Sequence, residues 1–233
     1  MGEVRAGHSG RDVRIGFGSS ARAAYLALPA ARHGPGVLVV HEAFGLTPWI
    51  RDVCDRLARE GFVALAPDLH GGEQAEDVPS AIGLARKLDA ARACEEIGEA
   101  ITQLLRESAV DGARVGLVGF CMGGQLALAA ACGRRDVAAV VDCYGVMPGV
   151  QPDYATLSAP VLGVFAENDE FVPPEASRGL EQALRAAGVR AHFEVHVGVR
   201  HGFMNDARPD VYDAHTAARA WNELLGFLRA ELR

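Results

Sequence analysis

Eight short runs rich in Val, Leu and Ala recur along the chain, most of them separated by segments of helical period. Val13–Phe17 and Ala23–Leu28 are joined by a Gly/Ser turn, and Gly36–His41, Phe62–Ala66, Arg114–Val118, Val137–Cys143, Val161–Phe165 and His192–His196 follow. Between them the sequence predicts helices over Trp49–Glu60, Ala81–Glu107 (broken near Ala90–Ala93), Gly123–Ala131, Glu175–Ala187 and Val211–Leu232. In Trp49–Glu60, for instance, Ile50, Val53, Cys54 and Leu57 fall on one face. A strand that is apolar at nearly every position, rather than every second one, needs cover on both faces. Intervening helices supply that cover and the crossovers that parallel strands require. The expected architecture is therefore α/β: one domain with a mostly parallel sheet of about seven or eight strands and helices on both faces. The two leading strands are expected to pair antiparallel at an edge. With 233 residues, 49% of them apolar, the chain can fill the core that such a sheet demands. There is no internal repeat and no linker. Open α/β sheets bind ligands outside the carboxyl ends of their strands, and the polar stretch Leu69–Val78 is a candidate loop over that edge.

Several function classes are excluded. A net charge of −7 argues against binding nucleic acid, whose phosphates need clustered Lys and Arg. Met1–Arg14 is polar and carries no leader-like apolar run, and no stretch of about 18 apolar residues suits a membrane. Gly2 has Ala6 where a myristoylation motif has Ser or Thr. The five cysteines (54, 94, 121, 132 and 143) are odd in number and lack C-x-x-C spacing, so they read as reduced thiols of a cytoplasmic protein. Gly16-Phe17-Gly18-Ser19-Ser20-Ala21 loosely matches a dinucleotide fingerprint, but a strand follows it instead of a helix. His192 and His196 share one face of a strand without a carboxylate or thiol partner nearby in sequence, which does not make a metal site. Nothing calls for a cofactor or a metal. Monomer and homodimer are both open.

The strongest chemical signal is Gly119-Phe120-Cys121-Met122-Gly123-Gly124, between the strand Arg114–Val118 and a helix. That is the strand–turn–helix setting of a nucleophile elbow, G-x-S-x-G, with Cys in place of Ser. So sharp a turn crowds the residues on either side of the nucleophile, and glycine is needed where a Cβ would clash. The turn sets the thiol at a helix N-terminus, whose partial positive charge favours the thiolate. Asp169 follows the strand Val161–Phe165, and His201 follows His192–His196. Nucleophile, acid, then His is the order expected on this kind of sheet, with each just past a strand's carboxyl end. His201 would share the Cys121 proton, and Asp169 would hold the imidazole's tautomer. Glu167 and Glu170 are nearby rivals to Asp169.

A third strand end carries His41-Glu42-Ala43-Phe44-Gly45. Beside the elbow, the backbone N–H groups of Ala43 and Met122 would form an oxyanion hole. Glu42 would disfavour the Cys121 thiolate by like-charge repulsion, holding the thiol neutral until substrate arrives. Phe44, Phe120, Phe171 and Phe203 flank these positions, and Tyr144 ends a strand near them. All five are candidates to line a substrate pocket, and hydrophobic filling alone accounts equally well for the four phenylalanines. The expected substrate is a small ester or lactone. The alternative is a small-ligand-binding protein of the same fold without activity.

These motifs resemble the dienelactone hydrolase (carboxymethylenebutenolidase) family. The resemblance runs from about Val13 to Leu232 and rests on Val40-His41-Glu42-Ala43-Phe44-Gly45, Ala66-Pro67-Asp68-Leu69, the Gly116–Gly124 elbow, Asn168-Asp169 with Val172-Pro173, and His201-Gly202-Phe203. It implies an α/β-hydrolase fold, a Cys121–His201–Asp169 triad gated by Glu42, and cleavage of enol-lactones and related esters through an acyl-enzyme. The chain departs from the family where a substrate-binding arginine is expected four residues after the catalytic His: it has Asn205 there. Arg86, His70 and Arg200 are candidates to replace the arginines.

Overall fold

The computed structural model describes residues 10–16 and 21–232. The N-terminal segment 1–9 and most of the Gly16–Ala21 motif lie outside them. Eight strands form one sheet: β1 (Arg11–Ile15), β2 (Arg22–Ala27), β3 (Gly34–Val40), β4 (Val63–Pro67), β5 (Val110–Phe120), β6 (Val137–Cys143), β7 (Val161–Ala166) and β8 (Ala191–His196). Their spatial order is β1-β2-β4-β3-β5-β6-β7-β8. β1 pairs antiparallel with β2, and β2 with β4; every other pair is parallel. The helices are α1 (Pro48–Arg59), α2 (Val78–Lys87), α3 (Ala90–Arg106), α4 (Met122–Ala131), α5 (Pro174–Ala186) and α6 (Ala214–Glu231).

Strands β4, β6 and β7 are buried at every position, as their unbroken apolar runs predict. The chain steps one way along the sheet from β3 to β4 and the other way from β4 to β5. Right-handed crossovers therefore set α1 on one face and α3 to α5 on the other. α6 sits with α1, where the Arg56 guanidinium lies 4.0 Å over the Trp221 ring. The reversal falls between β3 and β5, and crevices in such sheets open at that switch point.

Most differences from the sequence reading trace to caps. The segment expected as one interrupted helix, Ala81–Glu107, is two helices. Asp89 accepts the amides of Ala91 and Arg92 at 3.0 and 3.1 Å and so starts α3 afresh. α2 begins early, at Val78, because Asp77 and Ser80 form a capping box. α6 begins late, at Ala214, because Asp213 caps the Thr216 amide at 2.8 Å. The first strand covers Arg11–Ile15, two residues earlier than the pattern suggested. No helix among the described residues is long and apolar enough to cross a membrane.

Candidate active site

Cys121 stands between β5 and α4 with φ 53° and ψ −126°. A non-glycine residue in so rare a conformation costs about 1–3 kcal/mol and persists only where its surroundings fix it. Here the Cys121 amide donates to the Cys143 carbonyl, and the Gly124 amide to the Cys121 carbonyl, each at 2.9 Å. The glycines answer to crowding. A Cβ on Gly119 would overlap the Gly123 carbonyl oxygen, one on Gly123 the Val40 and His41 carbonyls, and one on Gly124 the Asp142 carboxyl. No side chain caps α4, whose N-terminus lies directly after the thiol.

His201 is buried, and its Nδ1 lies 2.8 Å from Asp169 Oδ2 and 3.0 Å from Oδ1. Asp169 Oδ1 also accepts the amides of Phe171 and Val172, both at 2.8 Å. With Nδ1 committed to Asp169, Nε2 is left free to serve the cavity that His201 and Cys121 line together. Burial works against a charge on His201. Its neighbours Cys121 and Asp169 outweigh that cost and push the imidazole up to about 10. Its ring sits edge-on to Tyr144 and Phe171, each centroid 5.0 Å away. The rivals are engaged elsewhere: Glu167 accepts the Gly198 amide at 2.9 Å, and Glu170 pairs with Arg200 at 2.7 Å on the surface.

Glu42 lies just past β3, at the switch point, and is only 4% exposed. Burial raises its carboxyl to about 7, against the opposing pull of His201, Arg208 and Asn205. Glu42, Ala43, Cys121, Met122 and His201 all line one cavity of about 280 Å³.

The remaining sequence candidates divide. Phe44, Tyr144, Phe171 and Arg86 line this cavity. Phe120 does not: it is fully buried and packs edge-on to Trp49 of α1 at 4.9 Å. Phe203 also turns inward, packed on Tyr144 and His196 at 6.0 and 5.3 Å. Asn205 stands behind Glu42, donating to its Oε1 at 2.8 Å. His70 is no pocket cation either: its Nε2 lies 3.1 Å from the Ala43 carbonyl, and burial lowers its affinity for protons. Arg200 is held outside by Glu170. The sequence reading missed Arg208, which lines the cavity, lies 5.5 Å over the Phe44 ring and pairs with Asp210 at 2.7 Å. Its only signal was a cation on the same loop as His201. His192 and His196 do have carboxylate neighbours, contrary to expectation: Glu194 at 2.9 Å and Glu223 at 3.3 Å. Even so, no three metal-ligating side chains gather among the described residues. All five cysteines are free.

A strained thiol elbow, an acid and a histidine meet at the switch point of a mostly parallel sheet, which is the plan of an α/β hydrolase. The family model for the dienelactone hydrolase family matches residues 22–232, and the chain belongs to that family of ester and lactone hydrolases. An Aquifex aeolicus relative, provisionally named carboxymethylenebutenolidase, is 35% identical over 216 residues, covering 90% of this chain and 93% of that one. A crystal structure provisionally described as a dienelactone hydrolase from Klebsiella pneumoniae subsp. pneumoniae MGH 78578 has a TM-score of 0.85 at 30% identity, covering 94% and 98%. A dienelactone hydrolase-like promiscuous phosphotriesterase from metagenomic libraries superposes equally well, with TM-score 0.85 at 26% identity, covering 96% and 98%.

Proposed function

We propose that this protein hydrolyses a small ester or lactone through a thioester acyl-enzyme on Cys121. The observation that carries this reading is the position of His201, whose Nδ1 is bonded to Asp169 while its ring lines the same cavity as Cys121. The thiolate sulfur attacks the carbonyl carbon, and the π pair moves onto oxygen. The Ala43 and Met122 amides stabilise that oxyanion. The tetrahedral adduct collapses to a thioester, and the departing alkoxide or enolate takes the proton from His201 Nε2. His201 then removes a proton from water as the water attacks the thioester. Collapse releases the carboxylic acid and returns the proton to the Cys121–His201 pair. Asp169 holds the ring and balances its charge throughout. Glu42 restrains the thiolate while the cavity is empty.

The cavity volume suits a small molecule, and its walls are mostly apolar, with Arg86 and Arg208 among the lining side chains. An acyl portion bearing an anion would meet those two cations, so anionic lactones are expected to be cleaved better than neutral esters of the same size. An enolate or aryl oxide leaves easily, which suits a thiolate nucleophile, and amides are expected to be poor substrates. The test is p-nitrophenyl acetate hydrolysis by wild type and Cys121→Ala, with intact-mass detection of an acetylated wild-type chain. Loss of turnover in the variant and a 42-Da adduct on Cys121 are the expected results. Equal rates would remove Cys121 from the mechanism.

A further inference from the structure

The loop after β3 is held by its carbonyl groups, three of them bonded to residues of the 68–75 segment. The Glu42 carbonyl accepts from His41 Nδ1 at 2.7 Å, and the Ala43 carbonyl from His70 Nε2 at 3.1 Å. The Phe44 carbonyl accepts the Ala75 amide at 3.1 Å, and the Leu46 carbonyl the Gln74 side-chain amide at 2.9 Å. His41 is fully buried, and its other nitrogen, Nε2, accepts the Leu69 amide at 3.0 Å. A backbone N–H can only donate, so Nε2 is unprotonated and the proton is on Nδ1, where it reaches the Glu42 carbonyl. This one ring therefore bridges two loops, using its donor on one and its acceptor on the other.

In a trans peptide, C=O and N–H point in opposite directions across a rigid plane. Fixing the Glu42 carbonyl on His41 turns the next amide, that of Ala43, the other way. The elbow sits close by, since Gly123 packs directly against the Val40 and His41 carbonyls with no room for a Cβ. We propose that His41 is a positioning residue for the oxyanion hole: its neutral imidazole, clamped between the Leu69 amide and the Glu42 carbonyl, aims the Ala43 N–H at the reacting oxygen. This rests on the thioester reading above. Burial drives the imidazole down to about 4, so the acceptor nitrogen survives across the neutral range.

Three variants separate positioning from bulk. His41→Gln keeps one donor and one acceptor on a side chain of similar reach, His41→Asn keeps both but is too short to span the loops, and His41→Leu keeps only volume. The assays are kcat and KM on p-nitrophenyl acetate, the alkylation rate of Cys121 by iodoacetamide, and affinity for an aryl trifluoromethyl ketone, which forms a tetrahedral oxyanion adduct with the thiol. Losing one oxyanion donor costs about 10²–10³ in kcat. His41→Leu and His41→Asn are expected to lose about 10²-fold in kcat and a similar factor in ketone affinity, with KM and the alkylation rate within about threefold. His41→Gln should recover most of the loss. Wild-type kcat in His41→Leu, or in His41→Asn if the Leu variant fails to fold, would overturn the proposal. So would a Gln variant as impaired as Asn, or alkylation falling in step with kcat, which would mean general collapse of the site. Failure of the thioester reading is seen separately, as full activity in Cys121→Ala.

Discussion

Two buried carboxylates stand at the candidate site, Glu42 lining the cavity and Asp169 behind His201, and their surroundings treat them in opposite ways. Asp169, on the loop after β7, accepts two backbone amides and both contacts from His201 Nδ1. Glu42, on the loop after β3, is equally buried, but its one hydrogen bond to a neighbouring side chain comes from Asn205. A carboxylate removed from water stays charged at low cost only when donors replace the lost hydration. Asp169 has such donors and can serve as a fixed negative charge beside an imidazole. Glu42 is under-supplied, and its carboxyl rises to about 7. The same chemical group is thus surrounded by donors in one loop and left balanced between charged and neutral in the other.

Neutralising each carboxylate with its isosteric amide tests the contrast directly, and the larger effect belongs to Asp169. In Asp169→Asn the side-chain oxygen can still accept the Phe171 and Val172 amides, but the counter-charge to His201 is gone. The amide can also present its NH₂ to Nδ1 and drive the proton to the nitrogen that should face Cys121. Neutralising the acid of such a triad costs up to about 10⁴ in kcat, and about 10²–10⁴ is expected here in steady-state ester hydrolysis. An effect below tenfold would mean that the Asp169–His201 pair is structural.

Glu42→Gln is expected to act the other way on stability. The folded-state value of about 7 lies above the ordinary 4.5, so the folded protein releases this proton later than the unfolded chain. The stabilising contribution is full below 4.5 and is lost as pH rises through 7. At pH 8 wild type therefore carries the whole cost of an ionised, buried Glu42, on the order of 1–3 kcal/mol, and Glu42→Gln avoids it. Urea unfolding should show the variant more stable than wild type at pH 8, with the advantage shrinking toward pH 5. The same variant tests the gate. Above pH 7, without a neighbouring negative charge, Cys121 should alkylate about tenfold faster than in wild type, while below pH 6 the two should converge. A ratio that does not change with pH would detach Glu42 from the thiolate.

The contrast between the two loops was only half legible in the sequence. The elbow, Asp169 and His201 could be read because each lies a residue or a few past an apolar strand, and because the glycines mark a turn that tolerates no Cβ. Glu42 could be read from its place after β3, but not what surrounds it, since Asn205 lies 163 residues away along the chain. Asn205 looked like a missing substrate-binding arginine, whereas in the fold it is the partner of Glu42. His70 looked like a possible pocket cation and instead holds a carbonyl. Phe120 and Phe203 were misjudged for a related reason: next to a catalytic residue in sequence does not mean on the same face, and both side chains turn into the core. Arg208 was invisible because a loop cation has no periodicity to announce where it points. What local pattern encodes was recoverable; what the crossing of distant loops creates was not.

The smallest effect belongs to the Asn205–Glu42 contact, and it sharpens the comparison most finely. A donor on Glu42 favours its ionised form, so removing that donor should push the carboxyl further above 7. Asn205→Leu keeps nearly the same volume at a site only 3% exposed and deletes the hydrogen bond to Glu42, along with the one that Asn205 Oδ1 accepts from the Ala207 amide. A hydrogen bond of about 1 kcal/mol corresponds to roughly 0.7 of a pH unit. Under the proposed gate, in which the Glu42 carboxylate slows Cys121 alkylation, the pH at which wild type falls behind the Glu42→Gln reference reports the Glu42 titration. In an Asn205→Leu background, the midpoint of that ratio should move upward by about half a unit to one unit. A midpoint that stays where it was would mean that Arg208 and His201, not Asn205, set the balance at Glu42. A midpoint that moves down would mean that the Asn205 amide supports the protonated carboxyl, reversing the role its geometry suggests.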